Sequence, residues 1–182
     1  MTRLLCGLAV AALTVGMAWA DVESGPKAGE KVGELKAFGV VGKVEGKEAD
    51  FAAERKDEPT VYLFVSAENF SRPMAKFMRT LDGKLGETDD KAAGVAVWLG
   101  GDADAHKERL PKIQMSLKFD KTALAVYAGD KSGPNGWGIN PDAHLTVVVA
   151  NKGKVVKSFS YTSVNETDVR AVLEELKKAT GK

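Results

Sequence analysis

Thr60-Val61-Tyr62-Leu63-Phe64-Val65 is an unbroken run of β-branched, aromatic and aliphatic residues. A strand with one wet face alternates between apolar and polar, so a run like this one is a strand covered on both sides, as in a parallel sheet. The next twenty residues narrow the choice. Beyond Ser66 to Phe70 come Ser71-Arg72-Pro73 and then Met74, Phe77, Met78 and Leu81, spaced by three and four as on one face of a helix. Ser71 is placed to cap that helix, and Pro73 to sit in its first turn, where a missing N–H matters little. Gly83 is expected to end it.

The rest of the chain repeats the alternation. Phe38 to Val44 reads as a strand or short hairpin, and Gly94 to Leu99 as an apolar strand closed by Gly100-Gly101. Asp102 to Leu117 reads as a partly exposed helix interrupted or kinked near Pro111, and Ala123 to Ala128 as another strand. Lys131 to Pro141 is rich in glycine and proline and reads as a loop. Leu145 to Ala150 and Val155 to Tyr161 flank Asn151-Lys152-Gly153, the pattern of a hairpin. Ser163 with Glu166 has capping-box spacing, with Asn165 as the alternative cap, ahead of a helix carrying Val169, Val172, Leu173 and Leu176 on one face. This order predicts an α/β domain, a mixed sheet with helices on both faces.

The ends of the chain bound the domain. Arg3 followed by the apolar run Leu4 to Val15 and by Ala18-Trp19-Ala20 has the form of a secretory signal peptide, so residues 1–20 are expected to be removed and the protein exported to a periplasm or beyond the cell. The run is too short for a membrane span. Residues 21–33 are polar and glycine-containing, expected as a flexible lead-in or an arm on the surface, and residues 34–182 as one domain. Without Arg3, the 26 basic residues become 25 against 25 acidic ones, so there is no electrostatic case for nucleic acid. The one cysteine is Cys6, inside the leader, with too few residues before it for a lipoprotein signal.

The element order, with a helix starting directly after the strongest strand and a late hairpin followed by a terminal helix, resembles the thioredoxin-like and peroxiredoxin-like superfamily. In that family an aromatic residue, a redox cysteine, two further residues often Gly-Pro, and a second cysteine open the helix. Phe70-Ser71-Arg72-Pro73-Met74 stands in that place, with Ser71 and Met74 at the two thiol positions. Pro26 to Phe38 is similar to the opening segment of peroxiredoxin-like members. The resemblance implies the thioredoxin-like fold over residues 33–178, and it implies a departure from the usual chemistry. A thiolate is the nucleophile there, and neither an alcohol nor a thioether replaces it. The family's cis proline is not matched, because Asp142, Ala143 and His144 separate Pro141 from the next strand.

The degenerate motif, Ser71, Arg72, Pro73 and Met74, is therefore a candidate site without redox function, and Phe70, Trp137 and His144 are the candidate binding surface around it. Each has a plainer reading. Ser71 reads as a cap, since no G-x-S-x-G elbow surrounds it, and Trp137 as a plug on the core. His106 and His144 lack a companion ligand cluster, so no metal or other cofactor is expected. The leading expectation is a non-catalytic module that binds a protein or peptide partner. The alternatives are a non-thiol enzyme acting through Ser71 or His144, and an accessory subunit whose contacts lie elsewhere. A thiol oxidoreductase is the reading that the missing cysteines contradict.

Overall fold

A computed structural model describes residues 22–181. Its strands are β1 (Lys36–Val41), β2 (Glu48–Asp50), β3 (Thr60–Ser66), β4 (Ala93–Leu99), β5 (Thr122–Val126), β6 (Leu145–Asn151) and β7 (Lys154–Tyr161). Its helices are α1 (Phe51–Arg55), α2 (Arg72–Thr88), α3 (Ala103–Leu117) and α4 (Val169–Thr180), with single 3-10 turns at Ala67–Asn69 and Glu166–Asp168. All seven strands form one sheet in the order β2-β1-β5-β4-β3-β6-β7. β3, β4 and β5 are mutually parallel at its centre, and antiparallel pairs flank them on both edges. The expected mixed α/β sheet is therefore present, with β4 in the middle, β3 beside it and Thr60 to Val65 buried throughout.

The topology decides where the helices lie. From β3 to β4 to β5 the chain steps sideways twice in the same direction, and right-handed crossovers then place both connecting helices on one face. Phe77, Met78 and Leu81 of α2, Leu110 of α3 and Val172 and Leu176 of α4 share a core with Val61, Leu63, Ala96 and Trp98 on that face. The other face carries the short helix α1, and loops cover the rest. There Tyr62, Phe64, Val95 and Val148 pack against Leu35, Val44, Phe51, Trp137 and Ile139. Helices thus lie on both faces, unevenly: three long ones against five residues of α1.

Several local readings need correction. Gly83 does not end α2, which continues to Thr88 because Leu85 and Thr88 extend its buried face. Asp82 helps hold that stretch in place, its buried carboxylate accepting from the backbone N–H groups of Asp120 at 2.9 Å and Lys121 at 3.0 Å. Pro111 does not interrupt α3, which runs unbroken from Ala103 to Leu117 with the proline on its exposed side. The capping box before α4 is built by Asn165 and Asp168: Asn165 accepts from Thr167 N–H at 2.9 Å, and its own N–H donates to Asp168 at 2.8 Å. Glu166 instead accepts from the Thr80 hydroxyl of α2 at 2.8 Å.

Residues 22–34 are tied to the sheet. Gly29 N–H donates to the Val155 carbonyl and Val155 N–H to the Glu30 carbonyl, each at 2.8 Å, so this arm pairs with the outer edge of β7. Its earlier part lies on the second face, where Ser24 and Thr146 share a hydroxyl hydrogen bond of 2.6 Å, Ser158 donates to the Pro26 carbonyl at 2.6 Å and Ser160 donates to the Val22 carbonyl. Pro26 is buried.

Candidate functional site

The first turn of α2 lies at the carboxyl end of the parallel strands, the end at which open α/β sheets place their sites. β3 delivers the chain there through the 3-10 turn Ala67–Asn69, in which Asn69 Nδ2 donates to the Ser66 hydroxyl at 2.9 Å. Phe70 then lies half-buried on the indole of Trp98 at a centroid distance of 5.4 Å, and the Arg109 guanidinium of α3 covers its ring at 5.8 Å. Cation and ring attract at this separation, since the arginine meets the negative face of the π system.

Ser71 occupies the N-cap position with extended backbone, φ −129° and ψ 166°, and its carbonyl accepts the first helical bond from Ala75 N–H at 2.9 Å. Its hydroxyl makes no capping bond. The expected cap is therefore one of position only. No acidic side chain occupies the first turn, so the positive end of the α2 dipole faces solvent unneutralised. Arg72 and Pro73 are exposed and Met74 is only 1% exposed, packed into the core beneath. The four motif positions thus divide, three to solvent and one to the interior.

His144 stands near this end of the sheet. Its carbonyl accepts from Ser66 N–H at 3.0 Å and its N–H donates to the Tyr161 carbonyl at 2.9 Å, so it extends the β3–β6 and β6–β7 pairings by one residue. The ring is half-buried and hydrogen-bonds no described residue. Neither histidine ring hydrogen-bonds the Ser71 hydroxyl among the described residues. His106 is engaged elsewhere, its Nε2 lying 3.0 Å from the Gly100 carbonyl oxygen. Among the described residues no three His, Cys, Asp or Glu side chains are grouped to hold a metal ion, no peptide bond is cis, and no helix is long and apolar enough to cross a membrane.

Trp137 is not part of this surface. It is fully buried on the opposite face, between Tyr62 at 5.0 Å and Phe64 at 4.8 Å, and its indole N–H donates to the Glu34 carbonyl at 2.9 Å. The plug reading is the one that matches. In its place stand Arg109 and the ion pair of Lys131 with Glu68 at 2.6 Å, neither anticipated. Arg109 precedes buried Leu110 on α3, but only the sheet order brings α3 beside α2.

No protein-family model and no curated protein matches this chain. Solved structures do. Peroxidoxin BcpB from Mycobacterium tuberculosis superposes with a TM-score of 0.61 at 16% identity, covering 84% of this chain and 97% of its own. A peroxiredoxin-like protein from Aquifex aeolicus gives 0.61 at 14%, covering 87% and 91%. The exposed lipoprotein thioredoxin Etrx1 from Streptococcus pneumoniae gives 0.53 at 16%, covering 79% and 99%. The class is thus defined by architecture: an α/β protein with a central parallel trio of strands and antiparallel edges. Within that class, the chain has the thioredoxin-like fold.

Proposed function

We propose that this chain is an exported thioredoxin-like protein without thiol chemistry, which binds a protein or peptide partner through the surface formed by Phe70, Ser71 and Arg72. The observation that carries the reading is the pair of residues at the positions implied for the redox thiols: an exposed serine and a methionine sunk in the core. Serine is too weak an acid to supply the nucleophile at neutral pH, and it forms no disulfide. What is left at the helix start is a recognition surface: a half-exposed aromatic ring under Arg109, the exposed Arg72, and N–H groups that no side chain caps. Export rests on the leader-like form of residues 1–20, which lie outside the described residues, and is in keeping with a neighbour described as an exposed lipoprotein.

Two measurements test the reading. Purified protein is expected to reduce neither insulin nor hydrogen peroxide above a buffer control, and turnover that persists through repurification sinks the redox part. Binding is tested by titrating an isotope-labelled sample with a library of extended peptides and following backbone amide resonances. Shifts are expected at Phe70 to Arg72, at Met74 and at Arg109, weakened in Arg72→Ala. Shifts confined to other elements, or none across the library, overturn the binding part. The double variant Ser71→Cys with Met74→Cys checks the motif alignment separately, since residues three apart at a helix start are expected to close a disulfide under mild oxidation.

A further inference from the structure

A cavity of about 340 Å³ opens on the second face of the sheet, at the end away from α2's first turn. Its floor is the beginning of β4 and β5, where Val95 and Ala123 present short apolar side chains. One wall is the β1–β2 turn through Val44, and the other is α1 through Phe51. The three long helices pack on the opposite face, and the space above these small residues is therefore left open.

Charge is concentrated at the mouth. Four basic side chains stand there, Lys43, Arg55, Lys56 and Lys121, against three acidic ones, Glu54, Glu58 and Asp120, an excess of one positive charge. Arg55 is committed: it pairs with Glu58 at 2.9 Å and donates to the carbonyls of Pro59 at 3.2 Å and Lys91 at 2.6 Å. Lys121 reaches only the Asp90 carbonyl, at 3.4 Å, and the side chains of Lys43 and Lys56 bond no described residue. The arrangement is an apolar floor ringed by available ammonium groups, with one charge left to neutralise. Small-molecule sites have this form, an apolar body with a few polar groups that fix orientation.

We infer that this cavity binds a small amphipathic acid, a body of one to three rings seated over Val95 and Ala123 with a single carboxylate or sulfonate among the rim lysines. The size agrees, since a cavity of about 150 Å³ already accepts benzene and this one is roughly twice as large. The site lies at the other end and on the other face from Ser71, so it stands or falls independently of the partner-binding surface.

The probe is 1-anilinonaphthalene-8-sulfonate, added to the purified protein. Saturable one-site fluorescence is expected, with amide shifts at Gly94 and Ala123 and none at Phe70 to Arg72. Ala123→Leu, which fills the floor, is expected to weaken affinity about tenfold or more. Lys121→Gln, which removes the rim charge without placing a carboxylate near Asp82, and Lys121→Glu are each expected to weaken it about threefold or more at an unchanged fold, checked by the amide spectrum. Absence of saturable binding, shifts at Phe70 to Arg72 in place of Gly94, or affinity that Lys121→Gln and Lys121→Glu leave unchanged overturns the assignment.

Discussion

Two residues show how burial and bonding set the size of an effect. Ser71 holds the N-cap position without a side-chain bond, so the usual cost of about 0.5–2 kcal/mol for losing a cap does not apply in full. Ser71→Ala is expected to change stability by less than about 0.5 kcal/mol, whereas Ser71→Asp is expected to raise it by about 0.3–1 kcal/mol through the uncapped dipole, an increment that fades with added salt. Urea titrations at low and high ionic strength read both. Tyr62 is the opposite case. Burial disfavours its phenolate and pushes its pKa up to about 12 from 10.0, against the opposing pull of Arg55. Between those values the unfolded chain has released the proton that the folded one retains, so stability falls as pH rises through that window and is fully kept below it. The loss is on the order of 2–3 kcal/mol by pH 12. A urea series from pH 9 to 12 is expected to show it, and Tyr62→Phe to flatten it.

At the scale of the element, α2 is the informative case. Its pattern through Leu81 is plain, but Gly83 marks its end only if local propensity decides, and here the core decides by accepting Leu85 a further half-turn on. A glycine retained mid-helix leaves stability to be gained. Nothing lies within 4 Å of a Cβ built at Gly83, so Gly83→Ala is expected to stabilise by roughly 0.5–1 kcal/mol, seen as a higher urea midpoint. The same contrast explains what is legible elsewhere. β3, β4, the β6–β7 hairpin and α4 carry their signal in consecutive residues and can be read directly. The cap of α4 depends on which of Ser163 and Asn165 faces the turn, a matter of backbone angle. At the site, Met74 shares the periodicity of Phe77 and Met78, so its burial is readable, whereas the approach of Arg109 to Phe70 comes from strand order and leaves no local trace.

For the molecule as a whole, the second face is the part that sequence reading can least foresee, because loops have no period. Trp137 sits in a glycine-rich stretch yet joins Tyr62, Phe64 and the Glu34 carbonyl into one cluster. Trp137→Ala is expected to cost about 3–5 kcal/mol, measured by urea unfolding, because it empties a fully buried site and removes both ring contacts and the bond to the Glu34 carbonyl. The arm of residues 22–34 belongs to the same layer, and it is joined to its partners across long separations, 122 positions for Ser24 and Thr146 and 132 for Pro26 and Ser158. Contacts that distant are expected to form after the main folding barrier, so a chain beginning at Lys31 is expected to refold within about twofold of the full rate and to unfold about tenfold faster, a split that a stopped-flow chevron resolves. A chain synthesised or threaded from its amino end meets a problem of timing. The arm emerges early, and the hairpin that receives it emerges near the end. Through nearly the whole of that passage the outer edge of the sheet has no occupant and the arm no berth, so the seam between them is the last to close and the first at which a passing chaperone or protease finds slack chain.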